Sequence, residues 1–279
     1  MGFFSGLFGK KGPKKGEEAA PKTAPKKPVA PNQGEGEVSL LGFGLLSAQE
    51  FPMEELELTI QKNFQLEQTS TNSKEGRTQG FQLKLGELTV WCVHMDKPVP
   101  NGEVAKSIQY NLVPQEDQEP LANHRSFLAI SCKGKETDRI EAAKLLSKLL
   151  ELLMGMEQAV GVYMGGASLL ISKKVYLQRM QDSIKGFSPL LWIGVHFYKE
   201  KDTMVACTRG MDQFGKLDLA LYGVKLEPAD SYQLLYKLAA TQMLGLSDYQ
   251  DKNLLQLPAE YGNLELVCAQ RDGLLYLIG

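Results

Sequence analysis

A break in composition at residue 36 decides what this chain can fold into. From Lys10 to Gly36, Lys, Pro, Ala and Gly alternate with no large apolar side chain except Val29, whereas short apolar runs recur from residue 37 to the C-terminus. The first stretch cannot bury enough surface to offset the entropy of ordering it. The second can build a core, because 43% of the 279 residues are apolar and a chain of this length holds one large domain or two small ones. The expected organisation is a short apolar segment at residues 1–9, a disordered linker at 10–36 and a globular unit at 37–279. Pro13, Pro21, Pro25, Pro28 and Pro31 should keep the linker extended and partly polyproline-like.

Charge divides at the same point. Residues 1–36 carry seven Lys against three acidic residues, so the formal net charge of -2 leaves the remaining residues at about -6. Neutralising phosphates requires clustered Lys and Arg, and nucleic acid is therefore not expected as a partner. The four cysteines, Cys92, Cys132, Cys207 and Cys268, form no CxxC pair and lie in apolar stretches, as reduced thiols do when they serve as small hydrophobes. No run reaches the ~18 apolar residues of a membrane span. Phe3 to Phe8 is too short for a secretory h-region, and Gly and Lys follow it. These features point to the cytosol.

Periodicity supplies the elements. Val38 to Leu46 reads as a strand, and Pro52 opens a helix on Met53, Leu56, Ile60 and Phe64. Phe81, Leu83 and Leu85 alternate with polar residues, Gly86-Glu87 offers a hairpin loop, and Leu88 to Met95 follows as a strand apolar on both faces, so a buried hairpin is expected. A helix is expected over 102–112 and a strand over 127–132. Ala142, Leu145, Leu146, Leu149, Leu150 and Leu153 make a wide apolar face on a helix over 137–154, with Gly155 at its C′ position. Strands at 159–164, 190–197, 204–208 and 217–222 follow, with a helix over 174–184. A helix over 229–244 ends at Gly245, and a last hairpin turns at Asp272-Gly273. Short connections favour antiparallel pairing. The expected class is α+β, with mostly antiparallel sheets packed with helices. The shared order of elements leaves two organisations open: one domain, or a duplicated α+β half-domain with halves at 37–132 and 158–279 joined by the helix at 137–154.

Several ordered motifs resemble the bacterial family described as domain of unknown function 4261. They are Phe51-Pro52 with Glu55 and Leu56, the run Met95 to Pro100, His124 before the strand Phe127 to Ser131, and Ala143 to Leu150. Val160-Gly161-Val162-Tyr163, Pro189 to Ile193, and Thr208 to Met211 with Phe214-Gly215 complete the order. The resemblance spans about residues 40–245. The chain departs from the family at Met164, where an aromatic is usual, and at Asn111, which no Trp follows. The resemblance implies no activity and no active site.

Chemistry-bearing residues are few. Cys92 and His94 share a strand face, but two ligands do not make a metal site, and no metal or other cofactor is expected. His124 and His196 are candidate general bases, with Asp212 or Asp202 to orient one of them. Gly165-Gly166-Ala167-Ser168 matches neither phosphate-binding glycine pattern and reads as a turn. The loop of Thr208, Arg209, Gly210, Asp212 and Gln213 combines glycine freedom with polar groups and is a candidate binding loop. At the N-terminus, Phe3, Phe4, Leu7 and Phe8 would line one side of a helical turn pair with Lys10, Lys11, Lys14 and Lys15 just behind, the pattern of a weak hook for an anionic membrane surface. Two functions stay open on this reading. One is a non-catalytic interaction or scaffold module of the bacterial cytosol, with a protein partner and a peripheral membrane contact. The other is a small-molecule hydrolase or transferase using a His/carboxylate pair.

Overall fold

A computed structural model describes residues 36–65, 71–75, 78–183, 186–200 and 202–279, with 71–75 and 78 described by their backbone alone. The apolar segment at 1–9 and the linker expected over 10–36, apart from Gly36, lie outside the described residues.

The class is α+β, built on two sheets. The first holds β1 (Glu37–Leu46), β2 (Thr71–Glu75), β3 (Thr78–Leu85), β4 (Leu88–Met95), β5 (Ser126–Lys135), β6 (Ala159–Met164) and β7 (Leu169–Ser172), in the order β2-β3-β4-β5-β1-β6-β7. All its pairings are antiparallel. Helix α4 (Arg139–Met154) carries the chain from β5 over β1 to β6. Glycines on β1 make room for it: a Cβ on Gly42 would sit 2.9 Å from Leu150 Cδ1, and one on Gly44 only 2.0 Å from Leu153 Cδ2. The apolar face read from the sequence, Ala142, Leu146, Leu149, Leu150 and Leu153, is buried there, joined by α1 (Met53–Phe64) through Met53, Leu56 and Ile60.

The second sheet holds β8 (Gly194–Glu200), β9 (Thr203–Arg209), β10 (Asp218–Tyr222), β11 (Leu254–Gln256), β12 (Glu265–Arg271) and β13 (Leu274–Ile278), in the order β11-β12-β13-β10-β9-β8. Helix α6 (Pro228–Met243) buries Leu234, Leu235 and Ala239 in the large core that both sheets share. The short helices α2 (Glu103–Ile108), α3 (Gln115–Ala122) and α5 (Lys173–Gln181) complete the set.

The pairings are mostly antiparallel, as expected; among the described strands only β10 and β13 pair in parallel, because α6 and two strands intervene and return the chain in the same direction. β6 and β7 belong to the first sheet, so the change of sheet falls after α5. The helix expected over 102–112 stops at Ile108, and α3 begins after Pro114. Gly155 keeps helical angles (φ -70°) rather than a left-handed cap, whereas Gly245 does take φ +69°. The last hairpin turns as read, with Asp272 at φ +51° and Gly273 at φ +75°, the pair of positive angles that a type I′ turn requires.

The largest correction concerns β4. Its burial alternates strictly, with Leu88, Val90, Cys92 and His94 buried but Thr89, Trp91, Val93 and Met95 only half-buried. α1 and α4 cover its buried face, whereas on the other face only the Met95 end packs beneath α2 and α3.

Candidate functional site

His124 sits at the end of α3, where its Nε2 is 2.9 Å from the Val99 backbone nitrogen and its Nδ1 is 2.8 Å from the Leu121 carbonyl oxygen. A backbone N–H can only donate, so Nε2 is the acceptor and Nδ1 carries the proton. Both ring nitrogens are committed to backbone, and burial holds the imidazole below its ordinary pKa against the opposing effect of the Leu121 carbonyl. This ring clamps the turn after β4 to the end of α3.

His196 lies on β8 and is buried. Its Nε2 faces the Ala167 carbonyl at 3.2 Å, which requires the proton on Nε2, and Nδ1 is buried without a hydrogen-bond partner. Burial lowers its pKa to about 4, with the nearby Arg209 charge adding to the effect and the Ala167 carbonyl opposing it. Tyr110 is its ring neighbour, at 6.2 Å between centroids. Asp212 and Asp202 are exposed, and Asp202 lies 3.9 Å from Lys199.

The loop after β9 fastens the two sheets together. Thr208 and Arg209 are buried at the end of β9. Thr208 Oγ1 donates to Asp218 Oδ1 (3.3 Å) and accepts from the Leu219 N–H (2.8 Å), while the Met211 N–H donates to the same Asp218 oxygen at 3.0 Å. Gly210, at φ +108°, lies so close to Trp192 that a Cβ would be 2.3 Å from its carbonyl oxygen. Arg139, opening α4, donates to the Gln213 carbonyl at 2.7 Å, and the Gln213 amide lies under Gly166. Of the residues read as a binding loop, Asp212 is exposed, Gln213 half-buried and Gly210 buried; Gly210 and Gln213 reach across to the first sheet's elements, while Thr208 ties β9 to β10.

The glycine-containing run 165–168 is a turn in that same joint. Ser168 takes φ +48°, and Asn111 brackets it, donating to the Ser168 carbonyl (3.0 Å) and accepting from the Leu170 N–H (3.2 Å). Beside it Asn111, Leu170, Ser172, Arg179, Val195 and Tyr232 line a recess of about 20 Å³, room for about one water molecule and not for a substrate. Cys92 and His94 share the helix-covered face of β4. Burial pushes the Cys92 thiol far up, helped by Glu57, and lowers the His94 pKa against the pull of Asp96. Among the described residues no group of three or more His, Cys, Asp or Glu is placed to hold a metal.

The uncovered face of the first sheet is the other candidate. Strand register sets Leu41, Ser131 and Trp91 in one row across β1, β5 and β4, and Phe43, Ala129 and Val93 in the next. At one end α2 and α3 cover the face through Val104 and Leu121, with Phe43, Met95 and Ala129 packed partly beneath. Leu41, Trp91 and Val93 lie beyond that cover, half-buried, and join none of the buried clusters. The sequence reading missed this face, because an apolar strand looks the same whether one or both of its faces are covered. It also missed Asn111, Arg139 and Asp218, whose partners are 57, 74 and 7 to 10 residues away.

Among the described residues no helix is long and apolar enough to cross a membrane. No family model, curated protein or solved structure matches the chain.

Proposed function

We propose that this chain is a non-catalytic interaction module that binds a protein partner through the uncovered face of its first sheet. The observation that carries this reading is the set of half-buried Leu41, Trp91 and Val93 on the face of β1 and β4 turned away from α1 and α4, with Ser131 between Leu41 and Trp91 and no described cluster claiming them. Aromatic and aliphatic side chains grouped on a rigid sheet are the composition of an interface core. The family suggested by the ordered motifs is part of this proposal and brings no reaction with it.

The test is affinity capture from the native host with three baits: the wild type, a Leu41→Ser/Trp91→Ser variant, and a Leu246→Ser control altering a residue that is 74% exposed. Proteins retained by the wild type and the control but lost from the face variant are expected. Capture of the same proteins at equal yield by all three baits would overturn the reading.

The setting we propose is the cytosol, at the inner face of an anionic membrane. Four buried cysteines, none of them in a disulfide, support a reducing compartment. Lys10, Lys11, Lys14 and Lys15 would each contribute roughly 1 kcal/mol near an anionic leaflet, behind Phe3, Phe4, Leu7 and Phe8. Co-sedimentation with anionic but not neutral liposomes at low salt is the expected result. Equal sedimentation of the wild type and a Phe3→Ser/Phe4→Ser/Phe8→Ser variant would remove the tether.

A further inference from the structure

We infer that the recess beside α5 is an anion site: it takes the carboxylate end of a small acid or of a peptide chain, and the rest of that ligand stays outside. The site lies away from the open face of the first sheet and does not depend on a partner binding there.

The site is built where β7 passes into α5. Ser172 ends β7 and holds the N-cap position of α5, yet it makes no side-chain capping hydrogen bond. It is only 2% exposed and lines the recess, and its Oγ is buried without a hydrogen-bond partner. Buried hydroxyls are rarely left unpaired, because the lost hydration is not recovered. A water molecule would satisfy the hydroxyl, but it would leave the charge around it unbalanced. α5 has nine residues, so the positive end of its dipole and the orphan N–H groups of its first turn lie at Ser172. That turn holds Lys173 and Lys174 and no acid.

Arg179 completes the charge. Spacings of three and four put Ser172, Val175 and Arg179 on one side of α5, and a helical side chain leans back toward the N-terminus. Arg179 lines the recess and donates through Nη1 to the Leu190 carbonyl at 2.7 Å, and among the described residues no carboxylate pairs with it. No acidic side chain lines the recess, although residues 37–279 carry a net charge of about -6. Size and lining then select the anion. About 20 Å³ admits one water-sized group, too little for a tetrahedral phosphate but enough for the tip of a planar carboxylate. Val175 and Val195 flank the space, and Leu112, 47% exposed, stands at its rim, so an apolar wall meets the carbon behind the carboxylate. Asn111 is a wall too, since its amide already donates to the Ser107 and Ser168 carbonyls and accepts from the Leu170 N–H.

Saturation-transfer NMR on the full chain in chloride-free buffer tests the site, with formate and acetate as probes and acetamide as the neutral control. Saturation should pass to both carboxylates and not to acetamide. Ser172→Ala and Arg179→Gln should each weaken the apparent affinity about tenfold, the effect of one hydrogen bond to a charged group. Arg179→Lys, which keeps the charge, should retain more binding than Arg179→Gln. The urea midpoint of ligand-free Ser172→Ala should match the wild type, because the Oγ holds nothing in the fold. Absence of transfer to either carboxylate at tens of millimolar would overturn the inference. So would equal transfer to the wild type and both variants, which would mark contact with surface lysines, or a lowered midpoint of Ser172→Ala with formate affinity unchanged. An acetylated dipeptide with a free C-terminus, run beside its amide, separates the two sources. Binding tighter than that of acetate, lost in the amide, assigns the site to a chain end, and exclusion of the dipeptide assigns it to free small acids.

Discussion

Val99 donates its backbone N–H to His124 Nε2 at 2.9 Å, and the opposite nitrogen of the same ring donates to the Leu121 carbonyl at 2.8 Å. One imidazole thereby ties the turn after β4 to the end of α3, and both segments supply side chains, Val99 and Leu121, to the small core that covers one end of the first sheet's open face. His124→Ala would leave two buried backbone groups without partners, at about 1–3 kcal/mol each. Urea unfolding should show a loss of about 2–6 kcal/mol. A loss below about 0.5 kcal/mol would mean that the clamp is replaced by water.

Stability should fall on acidification, in a window set by the histidines. Burial is the leading cause of a lowered pKa at His94, His124 and His196, the last to about 4, against about 6.5 in an unfolded chain. Above pH 6.5 neither state binds the proton and the contribution is complete. Below it the unfolded chain binds protons that the native one refuses, so stability declines until the native groups titrate in turn. For His196 alone the loss between pH 6.5 and 4 is on the order of 3 kcal/mol. A His196→Gln protein, which keeps an amide donor for the Ala167 carbonyl, should lose correspondingly less over this window. Parallel stability curves for the two proteins would contradict it.

Two glycines of the loop after β9 should answer differently to the same substitution. Gly210→Ala combines φ +108° with a Cβ 2.3 Å from the Trp192 carbonyl oxygen, whereas Gly215→Ala at φ +69° meets nothing within 4 Å. The second change carries only the left-handed backbone penalty of about 1 kcal/mol. The first must also move the backbone at the joint between the sheets, and roughly 3 kcal/mol or more is expected. Thermal melts of the two variants check the order; similar shifts would show that the joint yields easily.

What could be read in the sequence followed from local periodicity. The helix over 137–154 shows its apolar face because positions three and four apart repeat for four turns, and that face is buried on β1. The hairpin at Asp272-Gly273 announces itself through turn residues that tolerate positive φ. Features set by distant pairing were not legible. Nothing near Asp218 signals that its carboxylate receives the Met211 N–H, and nothing in Leu88 to Met95 tells whether one sheet face or two are covered. His124 shows the same limit in the site, since a histidine that clamps backbone and one that moves protons are the same letter. The parallel pairing of β10 with β13 is of this kind too, decided by a crossover of more than fifty residues.

Thiol labelling should resolve the two sheets. All four cysteines are buried and none is in a disulfide, and burial pushes Cys132 up to about 12, with Cys92 and Cys268 also raised, so these three offer almost no thiolate in the native protein at pH 8. Reaction with an aromatic disulfide reagent must then wait for opening. Cys92 and Cys132 lie on β4 and β5, strands flanked on both sides, in the core that α1 and α4 share, and their exposure requires unfolding of that whole layer. Cys268 lies on β12, beside the three-residue edge strand β11, and fraying of that short edge exposes it. One phase faster than the others is expected, insensitive to low urea and absent from a Cys268→Ser protein, while the Cys92 and Cys132 phases accelerate with urea in proportion to global unfolding. Labelling of all four thiols within seconds, or a fast phase that survives Cys268→Ser, would show that the edge of the second sheet is not where this fold opens first.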